Sequence, residues 1–272
     1  MLAGAGAEPS EPASLSLVER RERLVETVRR TQFASVADLS AAFGVSEVTI
    51  RNDLDVLAEQ GRLRRVRGGA VHSTTTAREA PFEEAQGARA AAKEAIAAAA
   101  ATLVESGQTV ILDSGPTAAA VARALVLREG LEDVTVFTNG LRVALELEPA
   151  IPRLTIMLTG GTLRRMQHSL VNPFGTTMLE QVHAHVAILE CEGVDPSAGF
   201  THVNVPEVEV KRLMMRAARQ RVVVADGSRV GQVSLVHLYS LAEIDTLVTD
   251  PSAERGMVDG LREHGLDVHV TG

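Results

Sequence analysis

From residue 109 onward, short β-like apolar runs alternate with helical stretches, and this alternation constrains the fold more than any other feature of the 272-residue chain. The runs are 109–113, 134–139, 154–159, 186–190, 222–226 and 244–249, with a further one at 266–270. Helical patterns at 117–127, 141–147, 207–219 and 253–264 lie between most of them, and an Ala-rich helix at 88–106 precedes the first. A strand, a helix and a second strand return the chain in the same direction. The pattern therefore predicts an α/β domain, a mainly parallel sheet covered on both faces.

The chain upstream has a different rhythm. Residues 1–16 are Ala, Gly, Ser, Pro and Glu without a period and read as a loose tail. An amphipathic helix at 17–31 places Leu17, Leu24, Val25 and Val28 on one side. A second, at 36–43, follows Ser35 as its cap, and Gly44 makes a tight turn. Ser46 caps a third helix, running to about residue 60, in which Ile50, Leu54 and Leu57 face inward at i, i+4, i+7. Gly61 ends that helix, and 62–72, with Gly68-Gly69 in its middle, reads as a two-stranded wing. The polar stretch 73–87 has no period and reads as a linker. The expected organisation is a tail at 1–16, a first domain at 17–72, a linker at 73–87 and a second domain at 88–272.

Two short helices joined by a glycine turn, the second apolar on one side only, form a helix-turn-helix. The free side of the third helix offers Ser46, Glu47, Val48, Thr49, Arg51 and Asn52 to the edges of DNA bases. Arginine reads guanine and asparagine reads adenine in the major groove. Arg62, Arg64, Arg65 and Arg67 of the wing suit phosphates, which position a protein without specifying sequence. The overall charge of −8 argues against a nucleic-acid partner, but its distribution reverses that argument. Residues 17–72 hold ten arginines against eight acids, and 62–72 hold four arginines and no acid. A local basic stripe, not the chain average, is what meets phosphate.

Cys191 is the only cysteine, which excludes a disulfide framework and a Cys-based zinc cluster and suits a reducing cytoplasm. The first residues lack the order of a signal peptide, and the longest apolar run, 95–104, is too short to span a bilayer. No membrane partner is expected. His183 and His185 have no third metal ligand spaced near them and read as surface histidines, so neither metal nor cofactor is expected.

In open parallel sheets, ligands bind beyond the carboxyl ends of the strands. Here those ends are polar or small: Asp113, Ser114, Gly115, Pro116 and Thr117; Thr138 and Asn139; Gly160 and Gly161; Gly193; Asp226, Ser228 and Arg229. Pro116 suits a first helical turn, so Ser114, Gly115 and Thr117 present hydroxyls and N–H groups at a helix N-terminus, where an anion is favoured. Lys211, early in its helix, points into this crevice or balances Glu207 at i, i+4. Asp113, Glu190 and Asp226 also stand where a catalytic base would stand.

The stretch Phe43-Gly-Val-Ser-Glu-Val-Thr-Ile-Arg-Asn-Asp-Leu54, with Gly61-Arg-Leu and Arg67-Gly-Gly-Ala70, resembles the DeoR family of bacterial transcriptional regulators, and the resemblance runs from about 17 to 250. It implies a winged helix-turn-helix on double-stranded operator DNA and a sensor domain similar in fold to ribose-5-phosphate isomerase, with a phosphorylated sugar as effector. With Asp113, Glu190 and Asp226 placed as bases, the fold that this resemblance implies makes a phosphosugar isomerase-like enzyme with a regulatory DNA module the alternative. The family's Asp-Ser-Gly-Thr-Thr stands here as Asp113–Thr117, with Pro116 in place of a threonine. Its Asp-x-Ser-Lys stands as Asp226 to Arg229, with arginine for lysine, and Glu190 stands where a glycine is expected. A carboxylate facing the crevice there would repel phosphate, so an effector without phosphate is a further alternative. One helix and one wing read few base pairs, so a homo-oligomer on repeated half-sites is expected. The reading is a cytoplasmic regulator, a repressor of a carbohydrate-metabolism operon, and not an enzyme.

Overall fold

A computed structural model of the chain describes residues 16–31, 33–59, 62–66, 68–72 and 79–272. They fall in two units, Met1–Thr75 and Thr76–Gly272. Gln60, Gly61 and Arg67 lie outside the described residues, as does the part of the expected linker at 73–78.

In the first unit, α1 (Leu17–Thr31), α2 (Val36–Phe43) and α3 (Glu47–Glu59) stand where the periodicity puts them. Each start has a local cause. The Ser35 hydroxyl accepts the Asp38 N–H at 3.0 Å, and the Ser46 hydroxyl accepts the Thr49 N–H at 3.2 Å, each satisfying a donor the helix cannot. Gly44 takes φ 65° and returns its N–H to the Ser40 carbonyl, which reverses the chain between α2 and α3. Leu24, Val28, Leu39, Ile50, Leu54 and Leu57 bury together, whereas Leu17 at the end of the stripe is exposed. The wing strands β2 (Leu63–Val66) and β3 (Gly69–His72) gain a third, β1 (Phe33–Ser35), which pairs antiparallel with β3. Three residues are too few for a period to show, which is why β1 is not legible from sequence.

The second unit begins earlier than expected. Within the expected linker, α4 (Phe82–Gly87) buries Phe82, and Glu79 pairs with Arg164. The reading of 73–87 as a linker is thus corrected for 79–87, because a single buried aromatic in a polar stretch leaves no periodic trace. Then come α5 (Ala90–Ala101), β4 (Thr109–Leu112), α6 (Pro116–Leu127), β5 (Val134–Thr138), α7 (Leu141–Leu147) and β6 (Leu154–Leu158). The hairpin β7 (Thr162–Arg164) and β8 (Ser169–Val171) leads through α8 (Phe174–Leu179) to β9 (Ala184–Glu190). After β10 (Gly193–Asp195), β11 (Gly199–His202) and α9 (Val205–Arg216), the chain runs through β12 (Ala218–Val224), β13 (Val236–Tyr239), β14 (Thr246–Thr249), α10 (Arg255–Glu263) and β15 (Asp267–Val270).

Seven of these strands form one wholly parallel sheet in the order β15-β14-β12-β9-β4-β5-β6. Strands β10, β11 and β13 make a separate three-stranded sheet that sequence reading missed, their segments being only three or four residues long. The core divides across the large sheet. One cluster packs α5, α6 and α7 on one face, and the other packs α9 and α10 with β11 and β13 on the opposite face. The order has one decisive property. From β4 the chain builds outward through β5 to β6, and then crosses back to place β9 on the other side of β4. The topological switch point lies between β4 and β9, and a crevice opens there because the flanking connections leave in opposite directions.

Candidate effector cavity and DNA-reading helix

A cavity of about 210 Å³ lies at this switch point. Its floor is the C-terminal ends of three neighbouring strands: Ser114 and Gly115 after β4, Glu190, Cys191 and Glu192 at the end of β9, and Val224, Ala225 and Asp226 at the end of β12. Pro116 and Thr117 of α6, Lys211 of α9 and the turn of Ser228 and Arg229 complete that wall. The opposite wall comes from the stretch Glu79 to Lys93, which includes the part of the chain expected to be a linker.

The sequence-predicted residues divide cleanly. Ser114, Gly115, Pro116, Thr117, Lys211, Asp226, Ser228 and Arg229 line the cavity; Asp113, Thr138, Asn139, Gly160, Gly161 and Gly193 do not. The five polar strand ends do not all converge, because β5 and β6 lie on the far side of β4 from the switch point. Thr138 and Asn139 are buried in loop-holding bonds, Thr138 to the Asp113 carbonyl and the Gly140 N–H, and Asn139 to the Leu170 carbonyl. Gly161 has φ 138°, and a Cβ there would stand 2.2 Å from the Val171 carbonyl oxygen, so this glycine serves hairpin packing. Gly193 likewise packs against Gln232 and Thr201.

Asp113 contributes from behind the wall. Fully buried, it accepts the N–H groups of Ser114 and Glu190 at 2.8 Å each and pairs with the Lys211 ammonium. Burial opposes a charged Lys211, but the neighbouring Asp113 and Glu207 carboxylates raise its pKa and hold it cationic. Lys211 thus makes its direct ion pair with Asp113, and Glu207 acts on it through its charge across one turn. Glu207 itself binds His202 at 3.0 Å, Ser169 and Arg164. Burial would raise the Glu207 pKa, but the His202 hydrogen bond and the charges of Lys211, His202 and Arg164 bring it down to about 2. Arg164 is committed to Glu79 and Glu207.

Sequence reasoning missed Lys93. It is buried, its ammonium bonds to the Ala88 carbonyl, and among the described residues no carboxylate pairs with it. Burial lowers its pKa against the opposing pull of Asp226 and Glu190. The other cavity cations are partnered: Arg89 with Asp226, Lys211 with Asp113 and Arg229 with Glu192. A signal was available in the composition. Lys93 and Lys211 are the only two lysines of the chain, and both line this cavity. Cys191 is buried beside it, its pKa pushed up to about 12 by burial and by Glu192.

In the first unit, α3 turns a polar face outward. Ser46, Glu47, Val48, Arg51 and Asn52 are exposed and Thr49 is half-buried. Arg51 reaches back to Glu47 at 2.5 Å. In the wing, Arg62 donates two hydrogen bonds to the Glu22 carboxylate, at 2.7 and 2.6 Å, and Arg65 pairs with Asp55 at 2.8 Å. Arg64 lies on β2. The inner face is locked by a residue not singled out from sequence: Asp53, buried on α3, binds Arg20 and Arg21 of α1 at 2.7 and 2.8 Å.

The descriptions of two protein families match these two units, a DeoR-like helix-turn-helix domain over residues 20–76 and a DeoR C terminal sensor domain over residues 88–251. The chain belongs to the DeoR family. The HTH-type transcriptional regulator GolR of Listeria innocua is 32% identical over 252 residues, 93% of this chain and 98% of that protein. The HTH-type transcriptional regulator GlpR of Haloferax volcanii is 35% identical over 250 residues, covering 92% and 96%. The glycerol-3-phosphate regulon repressor of Escherichia coli is 29% identical over 252 residues, covering 93% and 98%. As a DeoR-family chain it is a DNA-binding transcriptional regulator. Among the described residues, no helix is long and apolar enough to cross a membrane.

Proposed function

We propose that this DeoR-family chain represses a carbohydrate-metabolism operon from the cytoplasm and is released by a phosphorylated sugar bound in the switch-point cavity. The observation that carries this reading is the gathering of Arg89, Lys93, Lys211 and Arg229 with the hydroxyls of Ser114, Thr117 and Ser228 on one small cavity. Six carboxylates line the cavity too, and Arg89, Lys211 and Arg229 are ion-paired, so it is Lys93 with the three hydroxyls that suits a ligand carrying an anionic group and sugar hydroxyls. The relative that is a glycerol-3-phosphate regulon repressor supports an effector of that class.

DNA is read by the exposed face of α3 through Arg51 and Asn52, with Arg62, Arg64, Arg65 and Arg67 on phosphates. A homo-oligomer supplies two such helices to repeated half-sites. Release follows only if the effector binds the DNA-free arrangement more tightly than the DNA-bound one.

The deciding experiment is a thermal-shift screen of the full chain against sugars and their phosphates in matched pairs, with hits tested for release of operator DNA. A ligand confined to the folded state raises the melting temperature. Stabilisation and release by a phosphosugar, but not by its parent sugar, is the expected result. Release by parent sugars alone would overturn the phosphate requirement. Steady turnover of a phosphosugar would favour the enzyme reading.

A further inference from the structure

Glu190 ends β9, and its side chain turns towards the start of α6, where Oε1 accepts the Ala118 N–H at 2.6 Å. The fit is close. A Cβ on Gly115, the residue that caps α6, would stand 2.7 Å from that same oxygen. The first N–H groups of a helix have no partner within the helix, and their dipoles favour an anion. In α6 those donors are scarce. Pro116 has no N–H, and that of Ala118 is already given to Glu190, which leaves those of Gly115 and Thr117. The place at which a parallel sheet of this kind offers backbone donors to a phosphate thus holds a carboxyl group of the protein itself.

From this juxtaposition we infer that Glu190 is a specificity-determining residue, a built-in occupant that keeps phosphate away from the start of α6. The effector meets α6 with uncharged hydroxyls, which Glu190 and Thr117 bind. Its phosphate lies towards Lys93, the cavity cation with no carboxylate partner among the described residues. This assignment rests on the cavity being the effector site, and it adds which end of the ligand faces which wall.

The test uses inorganic phosphate as the probe, on the full chain at constant ionic strength, by thermal shift and titration calorimetry. Glu190→Ala and Glu190→Gly vacate the seat; Glu190→Gln fills it with an uncharged group of the same shape. Wild type and Glu190→Gln are expected to bind phosphate weakly and alike, through Lys93 alone. Glu190→Ala and Glu190→Gly are expected to bind it about tenfold or more tightly than wild type, the gain from one newly available charge-assisted hydrogen bond. Two substitutions of different size keep the result readable if one of them fails to fold. Phosphate affinity in wild type equal to that of Glu190→Ala, or no gain in either small variant, overturns the inference. So does an equal gain in Glu190→Gln, which would make charge rather than occupancy the cause. A phosphosugar that releases operator DNA while Glu190→Ala ignores phosphate removes the role of Glu190 alone. A phosphate gain with no effector in the sugar screen removes the effector reading alone.

Discussion

Asp113 does not face the switch-point cavity; it holds Lys211, which does. The pair spans the sheet, Asp113 following β4 and Lys211 rising from α9, and both side chains are buried. Removing one member of such a pair strands the other charge, at a cost of roughly 3–5 kcal/mol. Asp113→Asn and Lys211→Met are each expected to lower stability by about that amount. The double variant is expected to recover most of it. Chemical denaturation of the four proteins measures both effects, and simple addition of the two losses would show that the pair is not coupled. Operator binding is expected to persist in every folded variant while the effector response is lost.

On α3, Arg51 is exposed and, among the described residues, tied to Glu47 one turn back. An exposed pair of this kind contributes little, so Arg51 is free to exchange Glu47 for a base. Arg51→Ala or Asn52→Ala is expected to weaken operator binding by roughly 1–3 kcal/mol and to relax specificity at one position. Unchanged affinity in both, by titration of labelled DNA, would remove α3 as the reading helix.

Arg62 differs, because contact with phosphate requires it to leave Glu22. Arg62→Ala is expected to weaken all DNA sequences alike and to reduce the salt slope of binding by about one. Binding measured across a salt series distinguishes this from a base contact.

Burial and the nearby Asp113 push the Glu190 carboxyl up to about 8, Glu192 adds to the rise, and the Ala118 N–H and Lys211 oppose it. Lys93 also acts on it from α5. The folded state then holds a proton that the unfolded chain gives up near the ordinary carboxylate value, so this group makes stability fall as pH rises from about 4.5 to 8. Melting temperatures from pH 5 to 8.5 are expected to decline more steeply for wild type than for Glu190→Gln. Parallel curves would mean that Glu190 ionises normally.

At the open base of the β7–β8 hairpin, Gly161→Ala places a methyl group on the Val171 carbonyl in a backbone conformation that alanine resists. A loss of roughly 1–3 kcal/mol is expected for the second unit. Stability equal to wild type would show that the hairpin moves to make room.

How much of this was legible beforehand follows from the range over which each cause acts. The starts of α2 and α3 were readable because a cap and its donor are three residues apart, Ser35 with Asp38 and Ser46 with Thr49. The seven parallel strands were readable from their apolar runs, whereas β1, β10, β11 and β13 were not, since three or four residues hold no period.

By itself, then, the sequence determined the helix-turn-helix, the alternation that makes the parallel sheet, and the polar strand ends. Only the tertiary structure decided which ends share a cavity, because that depends on β9 crossing back to lie beside β4 rather than beyond β6. That one choice gathers Ser114, Glu190 and Asp226, and leaves Thr138 and Gly160 outside. It also brings Lys93 from an alanine-rich helix to the cavity and turns Glu190 onto the first turn of α6. These pairings join residues far apart along the chain, and strand order, which no local pattern encodes, sets them.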